Sequence, residues 1–261
     1  MEEVTAFLER RFARQIRAHV PLAAAPGTTT PLPEELDPRL RAALEGQGIA
    51  SLYSHQAEAF ASIRSGQDTV LVSRTASGKT LSFLLPVLHE YMQADQAFSV
   101  LLLYPTKALS RDQENTLGRL LALAMDSRKL GTFDGDTPPE ERRKIQRTAD
   151  FVITNPDMLH AGILPNHQRR WRNFLGRLRY VIVDEVHLYR GAFGSHVSNV
   201  FRRLLRACEM HGSRPVFIGS SATVGNPAEH VEALFHRPCT VLTGDGSPRP
   251  RRDLYFVNPP L

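Results

Sequence analysis

The 261-residue sequence has little cysteine: only Cys208 and Cys239 are present, and they form no C-x-x-C pair. This scarcity, with no signal-peptide pattern at the start, argues against a disulfide-stapled secreted domain or a zinc ribbon and favours a reducing cytosol. No apolar run approaches the roughly 18 residues that a membrane span requires. We therefore expect a cytoplasmic protein with no membrane partner.

Charge of one sign is not in large excess, because 32 Lys and Arg against 27 Asp and Glu give a net charge of +5. That balance only mildly favours a polyanionic partner. Arginines gather in residues 10–17, 142–147, 169–179 and 202–206, where each cluster fits a solvated helix face. With 42% hydrophobic and 23% charged residues, the composition excludes collagen-like, coiled-coil and disordered chains.

Residues 1–50 differ from the rest of the chain. An amphipathic helix is predicted for Glu3–Val20, a Pro/Ala/Thr-rich linker for Pro21–Pro33 and a second small helix for Pro38–Leu44. We therefore predict an N-terminal helical arm and linker over residues 1–50. The main domain is then expected over residues 51–261.

The main domain alternates short β-branched runs with longer helical patterns. Strands are predicted at Thr69–Val72, Val100–Tyr104, Gly131–Asp134, Phe151–Thr154, Tyr180–Asp184, Val216–Gly219 and Thr240–Leu242. Helices are predicted at His55–Arg64, Lys79–Met92, Ala108–Met125, Pro139–Ile145, Ser195–Met210 and Ala228–Phe235. Because several strands are continuously apolar, helices must cover both faces, which indicates a three-layer α/β domain with a mostly parallel sheet.

A phosphate-binding loop is predicted between the strand at Thr69 and the helix that opens at Gly78-Lys79-Thr80. Backbone N–H groups in such a turn, at the positive end of a helix, cradle a β-phosphate. Lys79 would reach the β- and γ-phosphates, and the Thr80 hydroxyl would bind Mg²⁺. Ser73 stands where the strict pattern has its first glycine, so an ordinary strand-turn-helix with an incidental Gly-Lys-Thr stays open.

Two acids end a second apolar strand, in the sequence Tyr180-Val-Ile-Val-Asp-Glu-Val-His187. Asp184 would lie at the carboxyl edge of the sheet and hold Mg²⁺ through water, while Glu185 would polarise an attacking water. Alone, this pair is more simply a capped, solvated turn. Together with the upstream phosphate loop it favours a nucleotide site for ATP and Mg²⁺.

These segments resemble the motifs of superfamily 2 DExH helicases. The matching segments, in chain order, are Tyr53–Gln56 (the Q motif), Ser73–Thr80 (I), Pro105–Gln113 (Ia), Asp134–Thr137, Thr154–Leu159 (Ib), Asp184–His187 (II) and Ser221–Thr223 (III). The run Val186–Val197 resembles the YprA-like, or mitomycin repair factor A, branch and its yeast RecQ-like relatives. Members of that branch unwind DNA from 3′ to 5′ during repair. The resemblance implies the first RecA-like lobe of a P-loop NTPase.

The resemblance implies a role for each matched residue. The ATP-binding set is Tyr53, Gln56, Arg74, Thr75, Ala76, Ser77, Gly78, Lys79, Thr80 and Leu81. The catalytic set is Lys79, Asp184, Glu185 and His187, with Thr80 and Asp184 on the metal. The nucleic-acid set is Thr106, Lys107, Arg111, Thr154, Asn155 and Arg190, and Ser221, Ala222 and Thr223 would couple the two sites.

Plainer interpretations stay open for several of these residues. Gln56 can be a solvent-facing helix residue, and Lys107 and Arg111 simple surface charge. Thr154 and Asn155 precede a proline at a helix start and can be only caps. His187 can be a satisfied polar residue at a strand end.

The second lobe that completes such an ATP site is expected to be missing from this chain. We therefore expect the ATP-binding lobe of an ATP-dependent 3′-to-5′ DNA helicase of DNA repair, with single-stranded DNA and a second lobe of the same polypeptide as partners. Alone, the lobe should be a nearly inactive ATP hydrolase, because the second lobe supplies arginines to the transition state. A double-stranded DNA translocase, an RNA helicase or a non-catalytic nucleic-acid-binding module are the alternatives.

Overall fold

A computed structural model describes residues 2–74, 77–106, 114–115, 117–122 and 129–258. Its strands are β1 Ile16–Leu22, β2 Thr29–Pro31, β3 Ser51–Tyr53, β4 Thr69–Val72, β5 Ser99–Leu103, β6 Leu130–Thr132, β7 Phe151–Thr154, β8 Leu178–Val183, β9 Val216–Ser221, β10 Thr240–Leu242 and β11 Arg252–Val257. Its α-helices are α1 Glu2–Phe12, α2 Pro38–Gly46, α3 Ser54–Arg64, α4 Lys79–Gln93, α5 Pro139–Thr148, α6 Pro156–Met158, α7 Arg172–Gly176, α8 Gly191–Met210 and α9 Pro227–Phe235. A π-helical turn at Leu159–Ile163 and 3₁₀ turns at Leu164–Asn166 and Val186–Leu188 connect them, and residues 117–122 are helical.

Seven strands form a parallel sheet in the order β10-β4-β9-β8-β5-β7-β6. All their carboxyl ends therefore meet at one rim. Strand β9 lies between β4 and β8, and it pairs Ser221 with Val72 and Gly219 with Val183. The loops after β4 and β8 consequently start on the same rim, about 10 Å apart at the usual strand spacing.

Each face of the sheet has its own hydrophobic core. Along β5, Leu101 and Leu103 face one core while Val100 and Leu102 face the other. The first core includes side chains of α8 and α9, and the second includes side chains of α2, α3 and α4. This confirms the predicted three-layer α/β fold. Among the described helices, none combines the length and apolar composition needed to cross a membrane.

The N-terminal arm differs from the prediction. The helix predicted for Glu3–Val20 ends at Phe12, and β1 follows it and pairs antiparallel with β11. The residues up to Thr28 and those from Gly246 form one compact unit, and Thr29–Asp245 form another. Strand β2 pairs with β3 and Leu40 of α2 is buried, so residues 29–50 belong to the larger unit. The predicted boundary at residue 50 therefore falls inside that unit.

Candidate functional site

The loop after β4 is closed by its own serines. The Ser73 N–H donates to the Ser221 carbonyl at 3.2 Å, and the hydroxyls of Ser73 and Ser77 lie 2.7 Å apart. The Ser73 side chain thus bonds across the loop at the position where the strict pattern has a glycine. Gly78 follows as the N-cap of α4, with a φ of 82°. This left-handed conformation suits glycine, because it has no Cβ to clash.

The Lys79 ammonium is held by two neutral acceptors. Its Nζ donates to the carbonyls of Ser73 at 3.1 Å and Ser221 at 3.2 Å. Neither acceptor carries a charge, so the positive charge stays uncompensated by any carboxylate among the described residues. The side chain is therefore fixed at the sheet rim with its charge available to an anion.

The Asp184 carboxylate is buried at the end of β8. Its backbone N–H continues the ladder to the Leu103 carbonyl at 2.9 Å. Its Oδ1 accepts the Glu185 N–H at 2.9 Å and the Ser220 hydroxyl. No donor among the described residues bonds Oδ2, which leaves this oxygen available to a ligand.

His187 and Glu185 lie against each other, and Glu185 has a left-handed φ of 52°. The Nδ1 atom of His187 lies 3.1 Å from Glu185 Oε2 and 3.2 Å from the Ala222 N–H. Because the Ala222 N–H must donate, Nδ1 is the acceptor and cannot also donate to the carboxylate. Consistent with this, the buried Glu185 Oε2 has no hydrogen-bond partner among the described residues. A carboxylate oxygen without a donor is a strong acceptor for a water proton.

Strand β9 connects the two corners of the site. The Ser221 carbonyl accepts from Lys79, and the Ser220 hydroxyl donates to Asp184. Sequence analysis missed Ser220, although a fully buried serine near the carboxyl end of an apolar strand is a recognisable signal. The Thr223 hydroxyl is exposed and makes no hydrogen bond within the described part of the chain. Of the predicted coupling residues, Ser221 and Ala222 contact the predicted catalytic residues directly and Thr223 does not.

A cavity of about 990 Å³ opens beside the phosphate loop. Five of the residues predicted to bind ATP line it: Tyr53, Gln56, Gly78, Thr80 and Leu81. Gln56 is only 5% exposed, so the solvent-facing interpretation is wrong. Its Oε1 accepts the Tyr53 N–H at 2.9 Å, and its Nε2 donates to the Gly78 carbonyl at 3.1 Å. One amide N–H and one oxygen lone pair remain for a ligand.

Two further contacts brace the phosphate loop. His55 is buried, and its Nε2 lies 3.1 Å from the Ser77 carbonyl. Burial lowers the pKa of His55, with smaller opposing effects from Asp245 and the Ser77 carbonyl. A neutral ring with Nε2–H donating to Ser77 fits this environment. Arg74 donates from Nε to Asp245 Oδ2 at 2.5 Å, so the guanidinium predicted to bind ATP is partly engaged by a carboxylate. The sequence analysis gave no role to His55, although it lies within the matched segment Tyr53–Gln56, and none to Asp245.

The side chains of Thr154, at the end of β7, and of Asn155, which follows it, bond within the protein. The Thr154 hydroxyl is buried and donates to the Phe133 carbonyl at 2.6 Å. The Asn155 side chain accepts the Met158 N–H at 2.9 Å and caps the short helix α6. Asn155 is therefore a cap, as the plainer interpretation had it, whereas Thr154 is not a cap and bonds the Phe133 carbonyl instead. We therefore leave the Thr154 hydroxyl out of the nucleic-acid contacts proposed below.

The other residues predicted to contact nucleic acid lie near the rim. Thr106 is exposed beyond the carboxyl end of β5, and Arg190 is exposed at the N-cap of α8. Four predicted site residues lie outside the described part of the chain: Thr75, Ala76, Lys107 and Arg111. Thr106 and Arg190 are therefore exposed, and their contact with nucleic acid stays a prediction.

The oxygen donors present fit a magnesium ion better than a transition metal. Within residues 2–74, 77–106, 114–115, 117–122 and 129–258, no group of three or more His, Cys, Asp or Glu side chains could hold a metal by itself. The half-buried Thr80 and the free Oδ2 of Asp184 supply hydroxyl and carboxylate oxygens. Mg²⁺ prefers such ligands and takes the rest from phosphates and water. The site therefore suits an ion that arrives with a nucleotide.

Gly78→Ala should destabilise the larger unit by about 1–2 kcal/mol, because a side chain in the left-handed region is strained. An alanine Cβ would also lie 2.6 Å from Gln56 Nε2. Adding Gln56→Ala should relieve that clash, so the double variant should lose less stability than the sum of the single variants. Urea unfolding followed by circular dichroism measures the three values. Gly225→Ala is the control, since its Cβ would meet nothing within 4 Å. Strictly additive losses would contradict the proposed clash.

Comparison with known proteins gives close relatives over most of the chain. The chain is 46% identical over 233 residues to the uncharacterized ATP-dependent helicase YprA of Bacillus subtilis (strain 168), covering 89% of this chain and 31% of the relative. It is 40% identical over 222 residues to the ATP-dependent helicase HRQ1 of Saccharomyces cerevisiae (strain ATCC 204508 / S288c), covering 83% of this chain and 20% of the relative. The crystal structure of the DUF1998 helicase MrfA bound to DNA and AMPPNP superposes with a TM-score of 0.94 at 42% identity, covering 100% of this chain and 36% of that one.

These relatives confirm the resemblance drawn from the motifs, and this chain spans only about a third or less of their length. The DEAD/DEAH box helicase profile matches residues 53–231, which run from the tyrosine before α3 into α9 and include both corners of the site. Since the profile matches well over half of the sequence, the chain belongs to the DEAD/DEAH box helicase family.

Proposed function

We propose that this chain is the ATP-binding lobe of an ATP-dependent helicase that moves along single-stranded DNA. The observation that carries the proposal is the shared anchor on β9, where Ser221 holds Lys79 and Ser220 holds Asp184. A cation for phosphates and a carboxylate for a metal thereby lie on one rim of one sheet. This pairing is what a magnesium nucleotide requires.

Each proposed role follows from an atom that is left available. Lys79 binds the β- and γ-phosphates, and the N–H groups at the start of α4 face the same anion. Thr80 and Asp184 hold Mg²⁺, which neutralises charge on the phosphates when it is bound. The unpartnered Glu185 Oε2 accepts a proton from the attacking water. The 990 Å³ cavity beside Gln56 takes the base.

Coupling to nucleic acid is proposed to pass through His187. Its Nδ1 accepts the Ala222 N–H, so a backbone movement of the segment Asp184–His187 would be passed to the segment after β9. Thr106 and Arg190 are proposed to contact the nucleic-acid backbone, because both are exposed near the carboxyl rim. Lys107 and Arg111 are proposed to join them on the strength of the motif resemblance alone.

DNA is proposed as the track because MrfA, 42% identical over the whole chain, has been crystallised with DNA. The 3′-to-5′ direction and a role in DNA repair rest on the family resemblance. A second lobe from the same polypeptide is proposed as the partner that completes the ATP site, since the relatives are about three times as long or longer. A cytoplasmic location stays a prediction from the sequence.

The chain of 261 residues should bind MgATP and hydrolyse it very slowly. Without a second lobe, no arginine finger stabilises the transition state, a loss of about 10³–10⁵ in rate. Fluorescence titration with a labelled ATP analogue, with and without Mg²⁺, measures binding, and a steady-state phosphate-release assay measures turnover. Brisk, DNA-stimulated turnover by this chain alone would contradict the two-lobe proposal. Absence of any Mg²⁺-dependent nucleotide binding would contradict the ATP site itself.

A further inference from the structure

Six arginines line a cavity of about 1070 Å³ that lies away from the nucleotide site, and one of them, Arg177, pairs with Asp150. We call this cavity the arginine cleft and define it by Arg143, Arg147, Arg169, Arg170 and Arg172. Two come from α5, and three come from the segment that leads into and opens α7. All five are exposed at the surface.

None of these five side chains makes an ion pair or hydrogen bond with another residue in the described part of the chain. Their neighbours behave differently: Arg177 pairs with Asp150 at 3.2 Å, and Arg142 donates to the carbonyls of Asp134 and Thr137. Burial, and then the charges of His167 and Arg172, lower the pKa of His211 on the cleft wall. The cleft thus concentrates positive charge that the protein itself does not neutralise.

The backbone beneath the cleft is rigidly supported. Three consecutive N–H groups, those of Arg169, Arg170 and Trp171, donate to the Asn166 carbonyl. The Trp171 ring is fully buried and packs edge-on against Phe133, with ring centroids 4.9 Å apart. The guanidinium groups therefore extend from a fixed loop, which reduces the entropy lost when they bind an anion.

The cleft reaches the amino rim of the sheet, opposite the nucleotide site. Ala149 and Gly176 line it, and each lies two residues before the start of a strand, β7 and β8. A second cavity of about 660 Å³ adjoins it and continues to Gly135–Thr137, beyond the carboxyl end of β6. Arg143 and Arg170 line both cavities. Together the cavities form a continuous basic track along α5, about 15 Å long for ten residues.

We propose that the arginine cleft binds the phosphate backbone of duplex nucleic acid, as a contact separate from the rim that carries Thr106 and Arg190. This inference rests on the proposed function, because it takes the nucleic-acid partner from there. About 15 Å of duplex presents roughly four phosphates on one strand, one fewer than the five guanidinium groups that define the cleft. Guanidinium binds phosphate with paired hydrogen bonds.

The lining of the cleft favours a duplex over a single strand. Single strands bind through aromatic side chains on which the bases stack. Among the described residues that line the cleft, the aromatic rings are those of Phe174, which is only 3% exposed, and of His211, whose Nε2 lies 3.0 Å from His167 Nδ1. The remaining polar groups, including Gln146 and Asn173, are donors suited to phosphate oxygens. An acidic protein segment is the competing occupant that the experiment must exclude.

Salt-dependent binding of the full chain to a labelled duplex tests the proposal. Two double variants each remove two positive charges from the cleft: Arg143→Ala with Arg147→Ala, and Arg169→Ala with Arg172→Ala. The control, Arg202→Ala with Arg206→Ala on α8, also removes two positive charges, and neither of these arginines lines either cavity. Fluorescence anisotropy between about 50 and 200 mM salt gives the affinity and its salt slope. Each cleft variant should lose about tenfold in duplex affinity at the lowest salt concentration. The slope of log affinity against log salt concentration should become shallower by about 1.5–2 in these variants. The duplex affinity of the control should change by less than about threefold.

The same titrations distinguish the possible failures. Equal losses of duplex affinity in all three variants would show that only the net charge of the protein matters, and would overturn the proposal that the cleft binds duplex. Tight binding of polyglutamate through the cleft, with duplex affinity unchanged in the cleft variants, would overturn it in favour of an acidic protein partner. In both cases retained binding of MgATP and of single-stranded DNA would leave the proposed function standing. Failure of the unmodified chain to bind any nucleic acid would overturn both.

Discussion

Replacing Lys79 with alanine should lower the affinity of the chain for MgATP by about a hundredfold. Hydrogen bonds to charged groups contribute about 1.5–3 kcal/mol each, and 2.7 kcal/mol corresponds to a factor of about 100. Lys79 is fixed at the rim by the carbonyls of Ser73 and Ser221, so no reorganisation is needed before it meets a phosphate. Isothermal titration calorimetry with a non-hydrolysable ATP analogue and Mg²⁺ measures the change.

The matched control for this variant is Lys144→Ala. Lys144 is exposed on α5 and lines neither the nucleotide cavity nor the arginine cleft. Its replacement by alanine removes the same positive charge as Lys79→Ala. Its affinity for MgATP should stay within about twofold of the parent, since exposed charges far from a site are screened. Thermal unfolding checks that Lys79→Ala remains folded. A folded Lys79→Ala protein with unchanged affinity would show that the loop after β4 is not the phosphate site.

Local patterns predicted the sheet well because its strands are buried on both faces. The predicted bounds of β4, β7 and β10 agree with the structure to the residue. For β4 and β7, which are buried along their whole length, a short apolar run between turn residues leaves little freedom in where the strand begins and ends, whereas β10 is a half-buried edge strand whose agreement burial does not explain. The phosphate loop and the two acids also followed from the sequence, since each is a strand end with a characteristic polar residue.

The sequence could not reveal features that depend on distant pairing. Strand β1 forms only because β11 pairs with it from the other end of the chain, and the spacing of Val4, Phe7 and Ile16 also fits a helix. Ser220 becomes part of the site only when β9 lies beside β8. The arginine clusters at 142–147 and 169–179 each resemble a solvated helix face. Their juxtaposition across one cleft is a property of the tertiary fold.

Trp171→Ala should cost about 3–5 kcal/mol of folding free energy, the largest stability loss we expect from one substitution. Trp171 is fully buried between Phe133 and Phe174, with ring centroids 4.9 and 5.5 Å away. Alanine would leave a cavity that these two rings cannot fill, because both belong to the hydrophobic core on that face of the sheet. Urea unfolding followed by circular dichroism at a peptide wavelength measures the loss, since the only tryptophan has been removed.

Trp171→Phe separates lost packing from lost polarity. The indole Nε1–H is buried without a hydrogen-bond partner among the described residues, so the tryptophan already carries a desolvation cost. Phenylalanine removes that N–H and keeps most of the aromatic contact, and its loss should be less than half that of alanine. If Trp171→Phe costs as much as Trp171→Ala, the indole N–H has a partner and packing is not the main contribution. Because Trp171 also supports the loop that carries Arg169 and Arg170, the alanine variant should lose duplex affinity even where it remains folded.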